Sequence, residues 1–322
     1  MNLSLNNNIT AVKQFLKNKV YKPYFQTNYY FKANLRSPQS TPLVPPIIIT
    51  GIYRSGTTLT TSLVEKIGVD MGPENHKCRG SGELGNLNPE GFQENFLIND
   101  LGRYILHFAG GSGVRLPNEV KVCSIDLHSL SDADFAYYSE AELNDDRIAP
   151  KVRREVLRHY GVSRLNQYFC DYFDTSCWGF KDVHCGVYMP VYLKMWSGSK
   201  FVCVVREPSS FLKSALNLSG GASINTWVDY YHRAIQFEEN AQIYWVIYES
   251  LLNREKEVIR GLIAFIKGQK PEQDDDIEPV MSLISKRKVN HKNESYGGIE
   301  RASILYEKLK QKSVESMKRY LN

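Results

Sequence analysis

The chain has 322 residues, of which 42% are hydrophobic and 23% are charged, proportions that are ordinary for a globular protein with a buried core. Its formal net charge of +5 suits a polyanionic nucleotide but lacks the strong clustering of a nucleic-acid binder, a class that we therefore exclude. No linker separates two halves of the sequence, so we predict a single domain over residues 1–322.

The cysteines and the first residues bear on location and metal content. Six cysteines are scattered without a C-x-x-C pair or the spacing of zinc ligands, so neither a metal site nor a disulfide framework is predicted. Residues 1–8 lack the charged start and apolar core of a signal peptide. No apolar run approaches the roughly 20 residues that a membrane span needs. We expect a cytoplasmic protein with no membrane partner.

Three parts are expected within the domain. Residues 1–41 contain a predicted helix at 9–20 and an aromatic arm at 21–31. That arm either packs on the main domain or lines a substrate or oligomer surface, which leaves a homodimer open. Residues 42–298 form the core, and residues 299–322 carry the helical spacing and mixed charge of a surface helix.

The most informative stretch is a strand, a loop and a helix near residue 50. Residues 46–50 are a short apolar run typical of a buried strand, and residues 59–66 are predicted to be helical. A helix start offers unsatisfied N–H groups and the positive end of the helix dipole. Gly51 and Gly56 let the backbone approach an anion closely. Cationic and hydroxyl side chains complete a predicted anion site: Arg54, Ser55, Thr57 and Thr58.

This loop departs from the nucleotide-binding pattern G-x-x-x-x-G-K-[ST]. Thr57 stands where that pattern has its lysine, and the cation is displaced to Arg54 inside the loop. The site is therefore poorly built for the β- and γ-phosphates and Mg²⁺ of ATP or GTP. A P-loop kinase acting on a small molecule remains one alternative, and a non-catalytic nucleotide-binding protein is another.

The string Arg54-Ser55-Gly56-Thr57-Thr58 after a hydrophobic strand resembles the loop of soluble, bacterial-type sulfotransferases that use 3′-phosphoadenosine 5′-phosphosulfate (PAPS). The resemblance implies a P-loop-like α/β fold with a central parallel sheet flanked by helices. It implies transfer of a sulfuryl group from PAPS to a hydroxyl or amine of a small-molecule acceptor, with release of PAP and without a metal. These five residues would bind the 5′-phosphosulfate.

A second strand, loop and helix follows at residues 200–214. An apolar strand ends in Arg206, Pro208 begins the next helix, and Ser214 lies eight positions after the arginine. An arginine fork fits a phosphate geometrically, and a hydroxyl adds a donor. The resemblance implies that Arg206 and Ser214 bind the 3′-phosphate.

Candidate catalytic residues follow a short predicted strand at 177–181 and precede a predicted helix at 188–196. The segment Lys181-Asp182-Val183-His184 is intermediate between the family's K-T-H and K-D-P-R segments. The resemblance implies a catalytic role for Lys181. A neutral imidazole can accept a hydroxyl proton, which makes His184 a candidate base.

A glutamate is the competing candidate for the base. Residues 88–94 fit the family's N-P-x-G-[FY]-x-E segment, which precedes a predicted helix at 96–109. The resemblance makes Glu94 a candidate, with Glu83 and Glu90 weaker ones. A carboxylate that only caps the following helix is the plain alternative.

Other parts of the sequence are less informative. The resemblance places Tyr248 beside the adenine, and Leu59 stands where cytosolic relatives have a stacking tryptophan. A basic run at 285–293, with Arg287 and Lys288, either closes over the 3′-phosphate or is a solvated charge run. Residues 110–165, with predicted exposed helices at 132–142 and 151–159, are where acceptor pockets vary on a shared scaffold.

Overall fold

The computed structural model describes residues 44–78, 93–112, 115–127, 165–216, 223–274, 277–284 and 299–322. Several sequence predictions lie outside them: the N-terminal helix and arm, the exposed helices at 132–142 and 151–159, and the residues Glu83, Glu90, Arg287 and Lys288.

The centre of the fold is a parallel sheet with the strand order β2-β1-β3-β4. Its strands are β1 (Ile47–Thr50), β2 (Gly179–Lys181), β3 (Lys200–Val205) and β4 (Gln242–Ile247). Ile49 of β1 is in register with Lys181 of β2 and Val202 of β3, so β1 and β2 end at one edge of the sheet. Nearly every strand residue is buried, as expected of a parallel sheet covered on both faces. The predicted α/β fold is confirmed.

Helices cover both faces of this sheet. Three predicted helices match closely, at Phe96–Phe108, Met189–Met195 and Ile299–Leu321. None of the helices in the described ranges is both long and apolar enough to cross a membrane. In chain order the helices are α1 (Thr57–Ile67), α2 (Phe96–Phe108), α3 (Glu119–Ser124), α4 (Leu165–Tyr172), α5 (Met189–Met195), α6 (Pro208–Leu216), α7 (Ile224–Gln236), α8 (Tyr248–Leu252), α9 (Lys256–Lys267), α10 (Glu278–Met281) and α11 (Ile299–Leu321).

The core is divided by the sheet into two layers, because successive strand side chains point to opposite faces. Ile48 and Phe201 face a layer built with α2, α4, α5 and α7, which is rich in aromatic rings. Ile49 and Val202 face a second layer built with α1 and α9. Packing on both faces fixes the strands, so the loops at their carboxyl ends are held in place.

The C-terminal helix α11 packs along β4 and α9. Its buried face carries Ala302, Leu305 and Leu309, whereas Ile304 is exposed. Ser316 Oγ accepts a hydrogen bond of 3.4 Å from the backbone N–H of Trp245 in β4.

Candidate active site at the carboxyl edge of the sheet

The loop between β1 and α1 has the geometry of an anion site. Arg54 adopts a positive φ of 65°, and so does Gly56, at 97°. Gly56 is the N-cap of α1, and no side chain caps the helix there. The first N–H groups of an 11-residue helix therefore remain available to a ligand.

Glycine is required at both ends of this loop by its close packing. A Cβ on Gly51 would lie 2.4 Å from the carbonyl oxygen of Val204 in β3, and one on Gly56 would lie 2.1 Å from the ring of Tyr248. Tyr248 begins α8 and places its ring 5.3 Å from the guanidinium of Arg206. Tyr248 thus lies beside the loop, on the same edge of the sheet.

The two predicted phosphate-binding motifs meet through Arg54. Its Nε donates to Ser214 Oγ at 2.9 Å, and Arg206 donates from Nη1 to the carbonyl oxygen of Arg54 at 3.0 Å. Burial first, and then the charge of Arg206, lowers the pKa of Arg54. Within the described residues neither arginine forms an ion pair with a carboxylate, and Arg206 Nε is buried without a hydrogen-bond partner. A pair of cations with unused donors fits a polyanionic ligand.

Lys181 extends from the end of β2 to the first turn of α1. Its Nζ donates to Thr58 Oγ1 at 3.0 Å and lies 3.1 Å from Oε1 of Glu94. Both side chains are buried. Burial raises the pKa of Glu94, although the positive charge of Lys181 opposes that rise. Lys181 and Glu94 therefore form one unit beside the start of α1.

The neighbouring carboxylate of Asp182 is buried and fixes the segment that follows Lys181. Its Oδ2 accepts hydrogen bonds from the hydroxyls of Tyr188 (2.5 Å) and Tyr192 (2.7 Å), and its Oδ1 accepts one from the backbone N–H of His184 (3.0 Å). Burial raises the pKa of Asp182. The contacts hold the turn that presents His184.

His184 is partly buried at this turn. Burial, and then the positive charge of Arg103, lowers its pKa from 6.5 to about 4. Its imidazole is therefore neutral at pH 7, which is the form that can accept a proton.

Sequence reasoning missed Tyr230, on α7. Its hydroxyl donates to the carbonyl oxygen of Val183 at 2.9 Å, and it lies 2.9 Å from Thr50 Oγ1. The backbone N–H groups of Gly51 and Gly186 point to the same oxygen at 3.1 and 3.2 Å. Tyr230 thus joins the anion loop to the segment that carries His184. The sequence holds no motif for it, because its partners are distant along the chain.

A pocket lies beside the anion loop. Glu94 is not among the residues that line it, whereas His184 is. Loop residues form one wall, and apolar residues of α2 and of the segment after it form another. The lining includes Ile52, Tyr53, Leu106, Leu116, His184 and Val187. The pocket therefore combines apolar side chains with the imidazole of His184 next to the anion loop.

Nine of the predicted site residues come together at this edge of the sheet: Arg54, Gly56, Thr58, Glu94, Lys181, His184, Arg206, Ser214 and Tyr248. Ser55 in the loop and Thr57 at the start of α1 are also buried at this edge. Arg287 and Lys288 lie outside the described residues.

The chain is similar to a known protein family in sequence and to solved structures in fold. The family model described as "Sulfotransferase family" matches residues 45–271, and no curated protein matches the sequence. Among solved structures, the chain is similar to the sulfotransferase domain of the Synechococcus PCC 7002 olefin synthase, with 15% identity, 89% of this chain and 98% of that chain covered, and a TM-score of 0.41. It is also similar to sulfotransferase STF9 from Mycobacterium avium, with 12% identity, 87% of this chain and 78% of that chain covered, and a TM-score of 0.38. A third similar structure is sulfotransferase STF1 from Mycobacterium tuberculosis H37Rv, with 15% identity, 91% of this chain and 80% of that chain covered, and a TM-score of 0.36.

Structural similarity at these TM-scores carries no weight by itself. The family match spans β1 to α9 and therefore includes both predicted phosphate-binding motifs and Lys181. The chain belongs to the sulfotransferase family.

Proposed function

We propose that the protein transfers a sulfuryl group from PAPS to a hydroxyl or amine of a small-molecule acceptor and releases PAP. The observation that carries this proposal is the meeting of Arg54, Arg206 and Ser214 beside the uncapped start of α1. Two guanidinium groups that form no ion pair with a carboxylate among the described residues are stabilised by an anion. PAPS offers a phosphate at each end of its ribose.

The residues divide between the two ends of the donor. Arg54, the N–H groups at the start of α1 and the hydroxyls of the loop would hold the 5′-phosphosulfate. Arg206 and Ser214 would hold the 3′-phosphate, and Tyr248, whose ring already contacts Arg206, would lie by the adenine. Arg287 and Lys288 are proposed to close over the 3′-phosphate.

Transfer breaks the bond between sulfur and the bridging phosphate oxygen and forms a bond between sulfur and the acceptor atom. Negative charge grows on the bridging oxygen, and we assign its neutralisation to Lys181 and Arg54. The acceptor loses one proton, which we assign to His184 because this residue borders the pocket. Glu94 is paired with Lys181, and we assign it to orienting that ammonium group. No metal is needed, since cationic side chains supply the charge.

Mixing the purified protein with PAPS and a library of hydroxylated and aminated small molecules tests the proposal through PAP release. We expect acceptor-dependent release, and a fall of about 10²-fold or more in Arg54→Ala, since one transition-state donor is commonly worth that much. A matched reaction with ATP and Mg²⁺ serves as control. PAP that fails to bind at micromolar concentration in calorimetry, or phosphoryl transfer from ATP, would contradict the assignment.

Location and assembly are also proposals. Scattered cysteines without a disulfide framework support a reducing, cytoplasmic setting. A homodimer stays a proposal that rests on the aromatic arm.

A further inference from the structure

The pocket beside the anion loop is apolar over most of its wall but has one exposed charge. Arg115 lines it, and no acidic side chain does among the described residues. We propose that the acceptor is an amphipathic hydroxy acid: an apolar body whose carboxylate pairs with Arg115 while its hydroxyl reaches His184. This inference rests on the proposed function, because it names the acceptor of the same site.

Arg115 is presented by a segment whose backbone is held in place. The N–H of Ser112 donates to the carbonyl oxygen of Arg115 at 2.8 Å, and the N–H of Arg115 donates to Ser112 Oγ at 3.1 Å. Three residues after Arg115, the N–H of Asn118 donates to the carbonyl oxygen of Ala109 at 2.9 Å. A Cβ on Gly111 would lie 2.8 Å from the nitrogen of Pro117. The arginine therefore starts from a fixed backbone at the mouth of the pocket.

The side chain of Arg115 is available to a ligand. It is exposed, and it forms no ion pair or side-chain hydrogen bond with a described residue. Arg233 of α7, by contrast, lies 3.4 Å from a carboxylate oxygen of Glu119. An arginine fork binds a carboxylate through two parallel hydrogen bonds, which are among the stronger polar contacts in proteins.

The charges around the pocket favour an anion over a neutral acceptor. Arg103 acts on His184 from α2, and its positive charge lowers the pKa of that imidazole. Arg115 adds a second positive charge at the pocket mouth. Other polar groups of the lining, such as Thr226 and the hydroxyl of Tyr53, are neutral. A neutral polar acceptor such as a sugar would make no apolar contacts with the wall formed by Leu106, Leu116 and Val187.

The test compares acceptors that differ only in charge. The probes are 3-(4-hydroxyphenyl)propanoate and 10-hydroxydecanoate, each beside its own methyl ester. Each is titrated into the protein with and without saturating PAP, and each is offered with PAPS while PAP release is followed. We expect at least one acid to bind, and to turn over in kcat/KM, about tenfold better than its ester, as one charge-assisted pair allows.

Variants separate Arg115 from general charge effects. Arg115→Gln should lower the affinity and kcat/KM for the acid to the values of its ester, and it should leave the values for the ester unchanged. Arg115→Lys should keep part of the preference for the acid. Lys121→Gln, which removes the same charge from an exposed position outside the pocket lining, should leave the preference intact.

Equal binding of acid and ester to the wild-type protein, or no binding of either pair, would overturn the inference even if PAP binds normally. Loss of PAP binding would instead contradict the proposed function. The titrations without PAP still compare acid with ester in that case, so the two failures are distinguishable.

Discussion

At the scale of single residues, the acid–base properties of the site are set by burial and by neighbouring cations. Lys181 is buried against Glu94, while His184 faces the pocket beside the positive charge of Arg103. The two candidate bases therefore have different surroundings: Glu94 is paired with an ammonium group, whereas the imidazole of His184 is neutral and borders the pocket.

Replacing His184 with asparagine is expected to lower kcat by about 10²-fold or more if it is the base, because positioned proton transfer is worth that much. The affinity for PAP should stay within a few-fold. The matched variant Glu94→Gln should act through Lys181 and shift the affinity for PAPS as well. A kcat that His184→Asn leaves intact would return the role of base to Glu94.

His184→Asn should also change how the free energy of unfolding depends on pH. The pKa of His184 is about 4 in the folded protein and 6.5 in the unfolded chain, so between these values only the unfolded chain takes up this proton. The contribution of the neutral imidazole to stability is complete above pH 6.5 and is lost as the pH falls towards 4. Urea denaturation should show the free energy of unfolding of wild type, relative to His184→Asn, falling by about 1 to 2 kcal/mol between pH 7 and pH 5. A constant difference would mean that the imidazole titrates normally.

At the scale of elements, the site depends on how α7 holds two loops together. Tyr230 contacts Gly51 at the end of β1, and Val183 and Gly186 after β2. A Cβ on Gly186 would lie 2.3 Å from the tyrosine hydroxyl, so the packing there is close. The hydroxyl of Tyr230 thus helps to fix the distance between the anion loop and the segment with His184, together with the hydrogen bond of 3.0 Å from the N–H of Gly186 to Thr50 Oγ1.

Tyr230→Phe should lower stability by about 1 to 3 kcal/mol, since it leaves buried backbone groups without a partner. Because the two loops also lose the hydrogen bonds that they share through Tyr230, kcat should fall at least tenfold while the Kd for PAP changes little. Tyr244→Phe removes a buried hydroxyl of the same kind, bonded to Val258 at 2.9 Å away from the site, and should cost stability without a change in kcat. Equal kinetic effects in both variants would assign Tyr230 a purely structural role.

The parts of the fold that could be predicted from the sequence are those formed by residues close together in the chain. Strand, loop and helix at residues 46–66 were predictable because adjacent residues encode them: a β-branched run, two glycines and an amphipathic run. The contacts of Tyr230 were not, since its hydroxyl meets Thr50 across 180 positions of the chain. No local pattern reports such a pairing.

At the scale of the whole molecule, the two apolar layers carry the sheet, and α11 completes one side of it. Tyr306 of α11 donates to Glu249 Oε2 at 3.0 Å, and Glu249 Oε1 accepts from the N–H of Glu207 at 3.1 Å. Glu207 directly follows Arg206. The C-terminal helix thereby supports the loop that we assign to the 3′-phosphate.

Leu309→Ala in α11 should lower the free energy of unfolding by about 2 to 5 kcal/mol, because it leaves a cavity at a fully buried position. Ile304→Ala on the same helix, where 69% of the side chain is exposed, should cost less than about 0.5 kcal/mol. Urea denaturation of both variants measures the difference. Similar losses in the two would mean that α11 does not pack as described.

The sequence by itself determined the class of fold, the two strand–loop–helix motifs that we assign to phosphate binding, and the bounds of α2 and α11. These features are written in neighbouring residues, through backbone propensity, apolar periodicity and the chemistry of a helix start. Only the tertiary structure decided the pairing of Glu94 with Lys181, the junction at Tyr230 and the position of Arg115 beside the pocket. Each of these brings together residues far apart in the chain, and their meeting depends on how the helices pack on the sheet.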